Sequence, residues 1–185
     1  MATVKDVSCF FIDYGEKSGE PMTNMRLNKM LYFAQGVYLA RYEALLFDDD
    51  IEAWQFGPVV SDVYHTYKRF KELPITDPEA GFFRDQFSDE EYTTLLDVVR
   101  FYGDYTTHAL VNISHRPGGA WEQTMETTEK IIPVELIKAE FSGTDSPQPF
   151  VFPVEAFEII DRQNTDGLLI LPEDEEEEWP EYNAI

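Results

Sequence analysis

Residues 27–40 read Leu27-Asn28-Lys29-Met30-Leu31-Tyr32-Phe33-Ala34-Gln35-Gly36-Val37-Tyr38-Leu39-Ala40, and the fold class turns on them. Leu27, Met30, Leu31, Ala34, Val37 and Tyr38 recur at i, i+3, i+4 and i+7, the repeat of one face of an α-helix and the longest regular apolar face in the chain. Thr23 or Asn24 stands ready as a cap. The spacing therefore predicts a helix over residues 25–42, central to a mainly α domain.

Working outward, Thr3 with Asp6 forms an N-cap pair ahead of Val7, Phe10, Phe11 and Tyr14, which predicts a first helix ending at Gly15. Downstream, Asp48-Asp49-Asp50 breaks the pattern, and Ile51-Glu52-Ala53-Trp54-Gln55-Phe56 alternates as a short extended segment. Gly57 ends it, and Pro58, at the favoured first helical position, predicts a third helix running to about Phe70. Residues 73–87 carry Pro74, Pro78 and Gly81 and read as a loop. Ser88 with Glu91 is a capping box before Leu95, Leu96, Val99 and Tyr102. Further helices are expected from Thr106 or Thr107 to Ser114, as a single turn over 120–125, and from Pro133 through Leu136, Ile137 and Phe141, with a last amphipathic stretch over 154–160. Residues 1–165 are expected to form one helical domain with a small extended element at 51–56. Residues 166–185, with the six acids Glu173 to Glu178, are expected to be a flexible acidic tail.

Of the 185 residues 43% are hydrophobic, enough for one substantial core. Fourteen Lys and Arg face 36 Asp and Glu, a net charge of −22. Such a chain repels phosphate backbones and anionic lipid, so direct nucleic-acid or membrane binding is not expected and a basic protein partner is favoured. No signal-peptide pattern or membrane span is visible, which predicts a cytoplasmic protein. Cys9, the single cysteine, cannot form an internal disulfide and reads as a small core residue. Phosphate-loop, dinucleotide, nucleophile-elbow and zincin motifs are absent.

Asp48, Asp49, Asp50 and Glu52 offer hard oxygen ligands, yet an EF-hand loop needs a glycine and an acid where this chain has Ala53 and Val59. His108 and His115 lie seven residues apart, roughly 10 Å along a helix, too far to share one ion. No metal and no cofactor is expected. His115 reads as a helix C-cap or a packing partner of Trp121. Trp54 and Trp121 read first as core residues. Trp179, with Tyr182 and Ile185, sits in the tail as a segment able to dock on a basic groove.

Residues 27–40, then Leu46-Phe47 and Ile51 to Val60, with Val63-Tyr64 and Tyr67, resemble the Panacea domain, the antitoxin-associated domain of the SocA type and of the phage-associated GepA type. The family reads Leu-x-Lys-Leu-Leu-Tyr-Tyr-Ala-Gln-Gly-x-Tyr-Leu, then Glu-Ala-Trp-x-x-Gly-Pro-Val. Leu27, Lys29, Leu31, Tyr32, Gln35, Gly36, Tyr38, Glu52 and Ala53 match it as structural positions, with Trp54, Gly57 and Pro58 following. Leu110, Ser114-His115 and Trp121 resemble a second block, in which Gly119-Ala120 stands where the family has a proline before the tryptophan. The resemblance covers about residues 1–125.

It implies a mainly helical antitoxin that neutralises a cognate protein toxin encoded by an adjacent gene, in some members as a proteolytic adaptor for a Clp-type protease. It carries over no catalytic residue, so no enzyme is expected. The protein-binding candidates are Trp54, Phe56, Gly57, Pro58, His115 and Trp121. Two rival readings are a metal-dependent hydrolase built on Asp48, Asp50, Glu52 and His115, and an acidic phage protein that mimics DNA.

Overall fold

Each of the longer helices begins at a hydroxyl cap. The structure, a computed structural model, describes residues 1–78 and 81–143. The stretch expected over 154–160, the domain end at 165 and the tail over 166–185 with Trp179 lie outside the described residues. Helix α1 (Val4–Ser18) starts at Thr3, whose hydroxyl accepts the Asp6 N–H while the Asp6 carboxylate accepts the Thr3 N–H. It ends one turn later than the sequence reading placed it. A glycine stops a helix when its backbone turns left-handed, and that happens at Gly19 (φ +79°), while Gly15 stays buried inside the helix.

Helix α2 (Asn24–Tyr42) is capped by Thr23. Helices α4 (Asp89–Tyr102) and α5 (Thr107–Ser114) are capped by Ser88, through the expected box with Glu91, and by Thr106. Helix α6 (Ala120–Met125) is short, and α7 (Val134–Phe141) has Pro133 at its N-cap.

Pro58 does not open a helix. Strand β1 (Glu52–Trp54) turns through Gln55 and Phe56 into β2 (Gly57–Val59), pairing Glu52 with Val59, Ala53 with Pro58 and Trp54 with Gly57. At the Ala53–Pro58 position neither residue needs the other: the Ala53 N–H donates to the Lys130 carbonyl at 2.7 Å, and proline has no N–H to offer. Pairing with β1 across the hairpin thus overrides the local preference for a helix start. Glu52 also bridges to Ile131, so β1 lies between β2 and residues 130–132. Helix α3 (Ser61–Tyr67) begins only after Val60 and runs into a 3-10 turn at Lys68–Phe70.

Helix α2 is central. It packs against α1, α3, α4, α5, α7 and β2, and every residue from Asn24 to Leu39 except Met25 is buried. The apolar stripe is only one of its buried faces, so its polar residues must find partners inside the protein, because each unsatisfied group costs about 1–3 kcal/mol. Asn24 donates to the Tyr64 carbonyl, and the Asn28 side-chain oxygen accepts the Val60 N–H at 2.9 Å. Gln35 ties down the connector after α2: its carbonyl accepts the N–H groups of Leu46 and Phe47 and its amide donates to the Phe47 carbonyl.

Gly36 lets α7 approach, since a Cβ there would fall 2.3 Å from the Phe141 ring. Phe33 stacks on Tyr102 from α4 at 4.2 Å, closing the core from the other side. Among the described residues no helix is long and apolar enough to cross a membrane.

Candidate functional site

The two sequence blocks meet around Gly57. Lys29, 1% exposed in mid-α2, donates from Nζ to the Pro58 carbonyl at 2.9 Å, and among the described residues no carboxylate pairs with it. Burial alone pushes its ammonium down to about 7. Gly57 has φ +102°, and a Cβ on it would lie 2.8 Å from Lys29 Nζ and 2.9 Å from Ser114 Oγ. The amine, the hydroxyl and the glycine leave no room between them for one methyl group. Lys29 is therefore closed to a substrate and serves as a clamp between α2 and β2.

Ser114 ends α5 fully buried, its hydroxyl donating to the Val111 carbonyl. His115 caps that helix and stacks flat on Trp121, ring centroids 3.7 Å apart at 5°. Both roles read for it from sequence hold at once. Its Nε2 is buried without a hydrogen-bond partner, and burial first, then the nearby Lys29 charge, pushes the imidazole down to about 4. At neutral pH it is an uncharged ring.

Trp121 donates from its indole to the Trp54 carbonyl at 2.7 Å, and the Trp54 indole donates to the Glu52 carboxylate at 2.9 Å and sits edge-on to Tyr64. The ring pairs His115–Trp121 and Trp54–Tyr64 are joined by the Trp121 bond to the Trp54 backbone into a row of four half-buried aromatic residues. Phe56 is half-buried at the hairpin turn, whereas Gly57 and Pro58 are buried.

Sequence reasoning missed the group that holds this row from behind. Glu140, its side chain 3% exposed, accepts from the Tyr32 hydroxyl at 2.7 Å and from the Ala120 N–H at 2.5 Å, and pairs with Arg116 Nε at 3.1 Å. It fixes the start of α6, and with it Trp121, to α2 and α7. An acid directly before Phe141 on an apolar helix was the only signal available.

Leu27, Leu31, Tyr32 and Tyr38 lie in the core, and Glu52 and Ala53 are half-buried in β1. Asp48 and Asp50 are exposed on the connector, Glu52 is engaged by Trp54, and His115 is inside its stack. Among the described residues no group of three or more His, Cys, Asp or Glu is placed to hold a metal. The arrangement is suited to holding a surface in a fixed shape.

A family model described as Antitoxin SocA-like, Panacea domain, matches residues 27–122, a span that contains both blocks from Lys29 to Trp121. The protein named Antitoxin SocA of Caulobacter vibrioides (strain NA1000 / CB15N) is 32% identical over 114 residues, 55% of this chain and 59% of that relative. The similarity thus spans less than two thirds of the relative's length. No solved structure matches the chain.

Proposed function

The chain belongs to the SocA-like antitoxin family with a Panacea domain, and on that premise we propose that it neutralises a cognate protein toxin by binding it in the cytoplasm. The observation that supports this is the row His115, Trp121, Trp54 and Tyr64, half-open on one side and locked on the other through Glu52, Glu140 and the Lys29 clamp. Rigid aromatic rings supply contact area at low entropic cost, and such residues dominate binding energy at interfaces. A net charge of −22 favours rapid encounter with a basic partner. The proposed toxin is the product of an adjacent gene, inhibited by occupation of its surface and not by a catalytic step.

Co-expression with the neighbouring reading frame tests the reading: growth should be rescued and the two proteins should co-purify. Trp54→Ala should abolish both, and a circular-dichroism melt separates the causes. An unchanged melt with lost binding assigns Trp54 to the interface, while full rescue by Trp54→Ala sinks the aromatic row as the contact. Toxin level during rescue distinguishes the routes: constant level means occupation, and a fall that needs a Clp-type protease means delivery to it.

A further inference from the structure

The connector between α2 and β1 and the segment leading into α7 face each other across a cleft of about 120 Å³. Its walls are aliphatic, with Leu45 and Ile51 from one side and Ile131, Val134 and Ile137 from the other. Ile131 and Val134 remain 48% and 40% exposed, while Gln35, already committed to Leu46 and Phe47, closes the floor. Asp48, Asp49 and Asp50 stand along the rim, and among the described residues none of them joins an ion pair.

At roughly 30 Å³ per water the cleft holds about four waters, the room of one long side chain and well below the ~300 Å³ of a small-molecule site. Its occupant must present an aliphatic stem to the walls and a cation to the rim. Arginine and lysine are built that way, and the guanidinium, planar and weakly hydrated, is the better match to adjacent carboxylates.

We infer that this cleft receives an arginine of a basic protein partner, with its methylenes against Ile51, Ile131 and Val134 and its guanidinium among Asp48, Asp49 and Asp50. The partner's identity as a toxin rests on the function proposed above; the cleft itself does not. Charge selects this occupant over the alternatives. A second copy of the chain carries the same −22, and the chain's own six-acid run, Glu173 to Glu178, meets the same rim with like charge. The Asp49 carboxyl is pushed up, by burial first and then by Asp62, Asp48 and Asp50, so a cation here relieves a charge crowding that already exists. Asp49 also lines a second, wider hollow of about 540 Å³ with Asp62, Val63 and Tyr67, which gives a partner segment contact on both sides of the rim.

The test is an NMR titration of the full-length isotope-labelled protein with the peptide acetyl-Leu-Arg-Leu-amide, and with acetyl-Leu-Glu-Leu-amide as control. The arginine peptide should shift resonances within 45–51 and 131–137, and the glutamate peptide should not. The double variant Asp48→Asn/Asp50→Asn, altered only at exposed positions, should bind the arginine peptide about tenfold more weakly. Shifts elsewhere, equal response to both peptides, or undiminished binding by the double variant would overturn the inference. A second arm uses the neighbouring gene product with Asp48→Lys/Asp50→Lys. Lost co-purification with an unchanged melt supports the cleft. If parent and variant bind that product equally, the cleft inference falls and the antitoxin reading stands. If the arginine peptide seats as expected but the parent binds no such product, the antitoxin reading falls and the cleft stands.

Discussion

Replacing Gly57 with alanine should destabilise the protein far more than the same change at Gly19, and the difference measures how tightly the Lys29 clamp is closed. Both glycines have positive φ, +102° and +79°, so both variants carry the backbone penalty of about 1–2 kcal/mol. At Gly19 nothing lies within 4 Å of the new Cβ. At Gly57 the Cβ falls 2.8 and 2.9 Å from Lys29 Nζ and Ser114 Oγ, short of the 3.4 Å at which contact becomes ordinary. Neither neighbour can easily give way: Lys29 is buried and bonded to the Pro58 carbonyl, and Ser114 is buried and bonded to Val111. Overpacking of this kind adds about 1–3 kcal/mol, for a total of about 2–5 kcal/mol at Gly57. At about 2–4 °C per kcal/mol for a chain of this size, that is a drop in Tm of about 4–20 °C, against about 2–8 °C for Gly19→Ala. Differential scanning calorimetry of both variants reads it directly, and Ser114→Ala combined with Gly57→Ala should recover part of the loss. Equal drops in the two single variants would refute the steric argument, and absence of any recovery would remove Ser114 from it.

Lys29 keeps a folded-state value near 7 against about 10.4 when unfolded, so between those pH values the unfolded chain binds the extra proton and stability rises with pH. The full rise is of order 5 kcal/mol, of which about 3 kcal/mol falls between pH 7 and 9.5; urea midpoints at those two pH values should show it in the parent and lose it in Lys29→Met. His115, near 4 folded and about 6.5 unfolded, makes stability fall as pH drops from 6.5 towards 4; His115→Phe keeps the stack on Trp121 and should flatten melts over that range. Glu140→Ala strands the buried Tyr32 hydroxyl and the Ala120 N–H and should cost about 2–4 kcal/mol by chemical denaturation. Deleting residues 166–185 should leave the melt intact while lowering the association rate with a basic partner at low salt and weakening its salt dependence, as stopped-flow mixing would measure.

The helices were legible because their signals are local. Thr3 with Asp6, Ser88 with Glu91, and Thr106 each cap the helix expected of them, and α2 is central as its stripe implied. The hairpin was not legible, since its turn residues Gln55 and Phe56 carry none of the usual turn chemistry and Pro58 has a strong local alternative as a helix opener. The pairing of Gly57 to Val59 with β1, itself flanked on its far edge by residues 130–132, decides between them. At the site, resemblance flagged Lys29, Gln35 and Gly36, but their tasks depend on Pro58, Phe47 and Phe141, partners brought close by the fold. Glu140 escaped notice for the same reason. Nothing within α7 shows that its carboxylate will meet a helix start 20 residues away and a tyrosine 108 residues away.

The enclosure of α2 by α7 sets an order on folding during synthesis. Tyr42 ends α2, and the residues that seal its Gly36 face end at Phe141. At roughly 5–20 residues per second the ribosome takes about 5–20 s to make the chain between them. Gln35 and Lys29 can find Leu46, Phe47 and Pro58 early in that interval, but throughout it the Tyr32 hydroxyl has no lasting partner, and the helix with the most buried residues is open on a side later closed by Ile137 and Phe141. A nascent chain of this fold is thus a substrate for chaperones and proteases until α7 emerges, and substitutions that weaken the Glu140 or Phe141 contacts should reduce the yield of protein in cells by more than their effect on the purified molecule.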